Sequence, residues 1–194
     1  MISGNDPILL EITRALSPSR VRHSKSVARW ASVLARLHGA DPLHAQQAGY
    51  LHDVAKEWRW SRLASYVRTH KVPVPHLGLI LAHKRAGLLH GYVAAHLSLR
   101  KGLVRDRQTR MAMARHTLGH VRMGLLDKIL YVADFSSPDR RYAEAARVRR
   151  LARKNLDAAL RLTVSYKIAD VAQRSGFLHP TTVALWNALC KAPA

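Results

Sequence analysis

Residues 22–42 read Arg22-His-Ser-Lys-Ser-Val-Ala-Arg-Trp-Ala-Ser-Val-Leu-Ala-Arg-Leu-His38-Gly-Ala-Asp-Pro42. Val27, Trp30, Ala31, Leu34 and Leu37 follow the i, i+3, i+4, i+7 spacing of a helix that turns one face to a core. Gly39 can end that helix in a left-handed cap, and Asp41-Pro42 supplies an N-cap and a first-turn proline for the next. The second helix carries Ala45, Ala48 and Gly49, small residues that permit close packing, and runs into Leu51-His52-Asp53. Working outward, Ser61 offers a cap for a helix to about residue 70. Lys71-Val-Pro-Val-Pro75 must be an extended loop, because each proline disfavours helix before it. Further helices are expected over about 79–100, 106–116, 125–135, 142–162, 164–175 and 181–191. No segment alternates with period two, so the fold class is all-α, a single helical bundle.

The 194 residues suit one domain, with a core over about 18–140 and C-terminal helices over about 141–194. Hydrophobic residues make up 48% of the chain, which separates it from disordered sequences. Residues 1–10 lack the basic and apolar regions of a signal peptide, and no stretch approaches the ~18 apolar residues of a membrane span. A cytoplasmic protein without membrane insertion is the expectation. The lone Cys190 excludes a disulfide framework. The formal charge of +20 favours anionic partners, whether nucleic acid, membrane surface or a polyphosphate, without choosing among them. The arginines are spread along helical patterns, and no aromatic-basic patch or known reading element for nucleic acid stands out, so a nucleic-acid partner is not favoured. A homodimer is compatible with the sequence.

The 12 histidines bear the chemistry. His23 stands early on the first long helix, His52-Asp53 ends the second, His90 lies in Leu88-Leu-His-Gly91, His116 in His116-Thr-Leu-Gly119, and Asp134 in Tyr131-Val-Ala-Asp134. Each belongs to a different helical pattern, and bundles build metal sites from ligands converging in this way. Imidazole and carboxylate suit divalent iron, manganese or zinc, and a carboxylate such as Asp53 can bridge two ions. Two ions would acidify a shared water and clamp the oxygens at phosphorus. His83, seven residues before His90, competes for its role. His96 points to another face, and His38, His44, His70, His76, His120 and His179 read as solvent-facing or capping. Trp58 and Trp60 could stack a base, but such tryptophans more often plug a core or loop edge.

The order His, His-Asp, His, His, Asp resembles the HD-domain phosphohydrolases. More specifically, Arg20-Val-Arg-His23, Leu51-His-Asp-Val-Ala-Lys56, Leu88-Leu-His-Gly91, His116-Thr-Leu-Gly119, Leu125-Leu-Asp-Lys-Ile-Leu-Tyr-Val-Ala-Asp134 and the tail from His179 to Asn187 resemble the YqeK-like symmetrical diadenosine tetraphosphate hydrolases. The resemblance implies two divalent ions, iron above manganese or cobalt, and cleavage of a dinucleoside tetraphosphate into two nucleoside diphosphates. His23, His52, Asp53 and Asp134 would hold one ion, and Asp53, His90 and His116 the other. Asp53 and Lys56 would act in catalysis, and Arg20, Lys56, Thr117 and Arg140 would contact the substrate. Ser136-Ser-Pro-Asp-Arg140 departs from the Glu-Pro that relatives carry there. Two rival readings are an HD phosphohydrolase for another nucleotide (a deoxynucleoside triphosphate, cyclic nucleotide or guanosine alarmone) and a basic RNA- or ribosome-binding module with a structural metal.

Overall fold

The computed structural model describes residues 6–191; the expectations for residues 1–5 and 192–194 lie outside them. Eleven α-helices are present among these residues, with no strand: α1 (Pro7–Ala15), α2 (Pro18–His38), α3 (Pro42–Leu51), α4 (Trp60–Thr69), α5 (Leu77–Ala82), α6 (His90–Arg100), α7 (Arg107–Arg115), α8 (Leu125–Ser136), α9 (Ala143–Ala152), α10 (Leu156–Gln173) and α11 (Pro180–Lys191). A 3-10 turn, Ala86–Leu88, precedes α6.

The expected punctuation at the α2–α3 corner is present. Gly39 takes φ 77°, and the Asp41 carboxylate accepts from the backbone N–H groups of Leu43 and His44. Along α2, Val27, Trp30, Ala31 and Leu34 are buried. Leu37, on the same expected stripe, is instead half exposed, whereas Ala35 is buried. Helix α2 packs along α3 and α8. A Cβ at Gly49 would lie 2.4 Å from the Ala28 Cα, so only glycine lets α2 and α3 approach this closely.

Helix boundaries differ from expectation at four places. The single helix over 79–100 is three pieces, α5, the 3-10 turn and α6, with Lys84 between them at φ 48°. The span 142–162 is broken at Arg153–Asn155, where the Asn155 side chain caps α10 by accepting from the Ala158 N–H. Helix α10 then continues unbroken through residue 164, where a new helix was expected. The third helix begins at Trp60 with Arg59 as its cap residue, two residues ahead of Ser61.

Two apolar clusters form. The larger joins α1, α2, α3, α8 and α10 around Ile12, Leu34, Leu130 and Leu160. The smaller gathers Leu63, Val67, Val72, Ile80, Leu89 and Val93, so the loop over 71–75 is anchored by Val72. Part of the excess charge is concentrated on one face. Arg147, Arg150, Arg153, Lys154 and Arg161 line a groove with Trp186 from α11, a grouping hidden in the sequence because the tryptophan comes from a distant helix. No helix among the described residues is long and apolar enough to cross a membrane.

Candidate metal centre

The six residues singled out by motif meet in the interior, each delivered by a helix end or a helix face. His23 comes from the second turn of α2, His52 and Asp53 from the turn that ends α3, His90 from the first residue of α6, His116 from the end of α7, and Asp134 from the last turn of α8. His23, His52, Asp53, His90 and His116 are all buried.

The motif glycine after His90 has a packing reason. A Cβ on Gly91 would sit 2.7 Å from the Met113 carbonyl oxygen and 2.9 Å from His116 Cε1. Glycine therefore lets α6 lie against the end of α7, which brings His90 Nε2 to 3.0 Å from His116 Nε2.

Every ring is also oriented from behind. Nδ1 of His52, His90 and His116 donates to the carbonyl oxygen three residues earlier, of Gly49, Gly87 and Met113, at 2.8, 2.8 and 2.7 Å. His23 Nδ1 lies 2.7 Å from Asp139 Oδ2. A donating Nδ1 leaves Nε2 as the lone-pair nitrogen, the arrangement that metal-binding histidines use.

The inward atoms form two overlapping groups that could each hold an ion: His23, His52 and Asp134, and His52, Asp53 and His116. In the first, Asp134 Oδ1 is 3.1 Å from His23 Nε2 and 3.7 Å from His52 Nε2. In the second, Asp53 Oδ1 is 3.0 Å from His90 Nε2 and 3.8 Å from His116 Nε2, while Oδ2 is 3.5 Å from His52. Asp53 thus turns one oxygen towards each half. His52 Nε2 and Asp53 Oδ1 are buried without a hydrogen-bond partner, although orphaned buried polar atoms are costly. Imidazole nitrogens and carboxylate oxygens that converge in this way, two of them without a partner, are what a pair of divalent cations satisfies, so the residues fit a dinuclear centre.

Electrostatics agree. Burial alone would raise both carboxyl pKa values, yet His52 beside Asp53, and His23 and His52 beside Asp134, hold them well below the usual range. Burial lowers His52, but the two carboxylates outweigh it and push it up to about 10. Burial and the neighbouring rings of His90 and His52 hold His116 well below its ordinary value, and burial likewise lowers His90. The metal-free cluster thus combines two carboxylates and a charged His52 with His90 and His116, whose burial favours the neutral ring.

The four expected substrate contacts surround it. The chain beyond Asp53 turns without continuing the helix, and this turn still carries Lys56 Nζ to 4.0 Å from Asp53 Oδ1 and 3.4 Å from His90 Nε2. Thr117 Oγ1 lies 3.1 Å from His116 Nε2. Arg20 is 3.0 Å from Asp53 Oδ2, and Arg140 3.3 Å from Asp134 Oδ1, so both arginines grip site carboxylates. His83 stacks on Phe177, and His96 bonds the Tyr66 hydroxyl, so neither joins the centre. Trp58, covered by the Arg62 guanidinium, lines a separate cavity that none of the six residues borders.

Two residues at the site went unnoticed in the sequence. Asp139 holds His23, within the segment that departs from the family pattern. An acidic residue five positions past Asp134 was the available signal. Lys167 of α10 donates to the His116 carbonyl at 3.2 Å and lies 3.8 Å over the Tyr131 ring. Its burial, with Lys56 and Arg140 nearby, lowers its pKa to about 8 despite the attraction of Asp134. No local pattern marks a lysine that arrives from a helix 33 residues away.

Comparison with known proteins matches this geometry. The HD-domain family model matches residues 20–139, more than half of the chain. A Bacillus subtilis bis(5'-nucleosyl)-tetraphosphatase (symmetrical) is 31% identical over 91% of this chain and 92% of its own. The protein of the same description from Halalkalibacterium halodurans is 28% identical over 90% of each. The crystal structure of a Clostridium acetobutylicum predicted HD superfamily hydrolase, described as involved in NAD metabolism, superposes with a TM-score of 0.89 at 27% identity over 98% of both chains. With its two buried His/Asp groups, the chain is a metal-dependent phosphohydrolase for a nucleotide substrate. It belongs to the HD-domain superfamily and, within it, to the YqeK-like bis(5'-nucleosyl)-tetraphosphatase family.

Proposed function

We propose that this protein hydrolyses dinucleoside tetraphosphates symmetrically, releasing two nucleoside diphosphates, and that residues 1–194 act as one HD phosphohydrolase domain. The observation that carries the chemistry is the inward convergence of four Nε2 atoms on two carboxylates. The substrate rests on the relatives that match this chain along nearly its full length and carry that activity in their description.

His23, His52, Asp53 and Asp134 would hold one divalent ion, and Asp53, His90 and His116 the other. Imidazole and carboxylate donors without thiolate suit iron, with manganese and cobalt as alternatives. When bound, the pair would acidify a water and neutralise phosphoryl charge. The remaining work falls to the chain's own side chains. Lys56 and Thr117, which line one cavity together with Asp134, would hold phosphoryl oxygens, and stabilisation of that charge dominates such reactions. Arg20 and Arg140 hold Asp53 and Asp134 in place and add positive charge beside them.

The test is anaerobic incubation of iron-reconstituted protein with diadenosine tetraphosphate. ADP as the only nucleotide product, stopped by chelation and by Asp53→Ala, is the expected result. ATP plus AMP, absence of turnover, or faster turnover of a deoxynucleoside triphosphate, cyclic nucleotide or guanosine alarmone at equal metal loading would overturn it.

A further inference from the structure

Two cavities flank the centre, and three residues, Asp134, Lys167 and Asp170, border both. The smaller, of about 250 Å³, also has Lys56 and Thr117 in its wall and lies over the reacting groups. The larger, of about 560 Å³, opens on the far side of Asp134, between α8, the turn at Arg140 and α10. Its wall is aromatic. Phe135 meets Tyr142 edge-on at 5.5 Å and lies nearly parallel to Tyr166 at 6.0 Å, and Tyr142 is 40% exposed.

Charge is distributed unevenly around this larger cavity. Lys167 and Arg140 stand beside Asp134, whereas Glu144 and Asp170 also contribute to its lining, and Arg174 is paired with Asp170. Carboxylates repel phosphate, but they accept hydrogen bonds from ribose hydroxyls and an exocyclic amine. An aromatic wall with acceptors, joined through a cation to a phosphate-sized cavity at the centre, matches a nucleoside whose phosphates run towards the metals.

We propose that the cavity walled by Phe135, Tyr142 and Tyr166 binds the second nucleoside of a dinucleoside polyphosphate, and that Lys167 holds the phosphates where the two cavities meet. This deepens the hydrolase reading and rests on it for the identity of the substrate. It would give a preference for two-headed substrates: a mononucleotide would fill the centre and one nucleoside position, and leave the tyrosine wall without a partner. Tyr142 is held in place by its hydroxyl, which donates to the Phe135 carbonyl at 2.8 Å, so the ring is set before the base arrives.

The experiment compares two probes on metal-reconstituted protein by calorimetry. One is diadenosine tetraphosphate with a methylene group between the central phosphorus atoms; the other is adenosine tetraphosphate with the same bridge. The double variant Tyr142→Ala/Tyr166→Ala should bind the two-headed probe about tenfold more weakly, the worth of roughly 1.4 kcal/mol of base stacking. Its affinity for the one-headed probe should stay within about twofold, a ratio well below that of one stacked base. Tyr142→Phe should keep two-headed binding, since the ring remains, and Lys167→Met should weaken both probes. Equal loss of both probes in the tyrosine variant, or loss of neither, overturns the nucleoside site; an unchanged Lys167→Met overturns the role given to the lysine. If wild type releases no ADP from diadenosine tetraphosphate but the tyrosine-dependent difference persists, the hydrolase reading falls and the nucleoside site stands.

Discussion

His90 and His116 face one another through Nε2 atoms 3.0 Å apart, and each ring has its Nδ1 committed to a main-chain carbonyl three residues earlier. Two lone pairs so close repel unless a cation or proton lies between them. The helices nevertheless hold this geometry through Gly91, whose missing side chain lets α6 approach the end of α7.

Gly91→Ala should therefore damage the centre without replacing a ligand, because the added methyl meets the His116 ring at 2.9 Å. It also meets a backbone oxygen at 2.7 Å, so α6 must shift. Overpacking of this kind costs about 1–3 kcal/mol, which for a chain of this length is roughly 2–4 °C of Tm per kcal/mol. Thermal melts and metal analysis should show a lower Tm and reduced metal content together.

Asp139→Asn should weaken metal binding. The carboxylate orients the His23 ring from behind, and loss of such a partner typically costs about 10–100-fold in metal affinity or activity. A metal titration followed by isothermal calorimetry reads this directly, and wild-type affinity would remove Asp139 from the centre.

Metal binding should release protons near neutral pH. In the metal-free chain the carboxylates raise the His52 pKa to about 10, so the ring is charged at pH 7.5, whereas a ligand imidazole must be neutral. About one proton should leave per molecule, measured as the dependence of binding enthalpy on buffer ionisation heat. The sign for folding follows. A pKa raised above 6.5 stabilises the metal-free protein fully below 6.5, and that contribution is lost as pH rises towards 10. Asp53 and Asp134, held low, stabilise above their ordinary value near 3.8, and that contribution is lost as pH falls through their depressed folded-state values. Urea unfolding of metal-free protein should therefore show stability declining from pH 6.5 to 10.

Lys56→Met should lower kcat by about 10²–10³, the usual loss when one donor to transition-state charge is removed, with metal content unchanged. Its ammonium stands 4.0 Å from Asp53 Oδ1, close enough to reach phosphate held at the centre. A rise in KM alone would mean that it binds substrate without favouring the transition state.

The all-α class and the identity of the inward-facing cluster were legible in the sequence because they rest on local patterns. The spacing of Val27, Trp30, Ala31 and Leu34 buries one face of α2, Gly39 and Asp41 punctuate its end, and short motifs surround His52, Asp53, His90, His116 and Asp134. Helix boundaries were less legible. The break at Asn155 is a cap inside a continuous apolar pattern, and the division before His90 depends on a left-handed Lys84 that no preference for lysine signals. Only the tertiary structure decided which side chains stand behind the ligands and beside the substrate space. Asp139 reaches His23 across 116 positions, Lys167 reaches His116 across 51, and Tyr166 joins Phe135 from another helix. Such contacts are made by helix packing, which depends on how faces fit in three dimensions, whereas ligand motifs and amphipathic stripes are properties of a few consecutive turns.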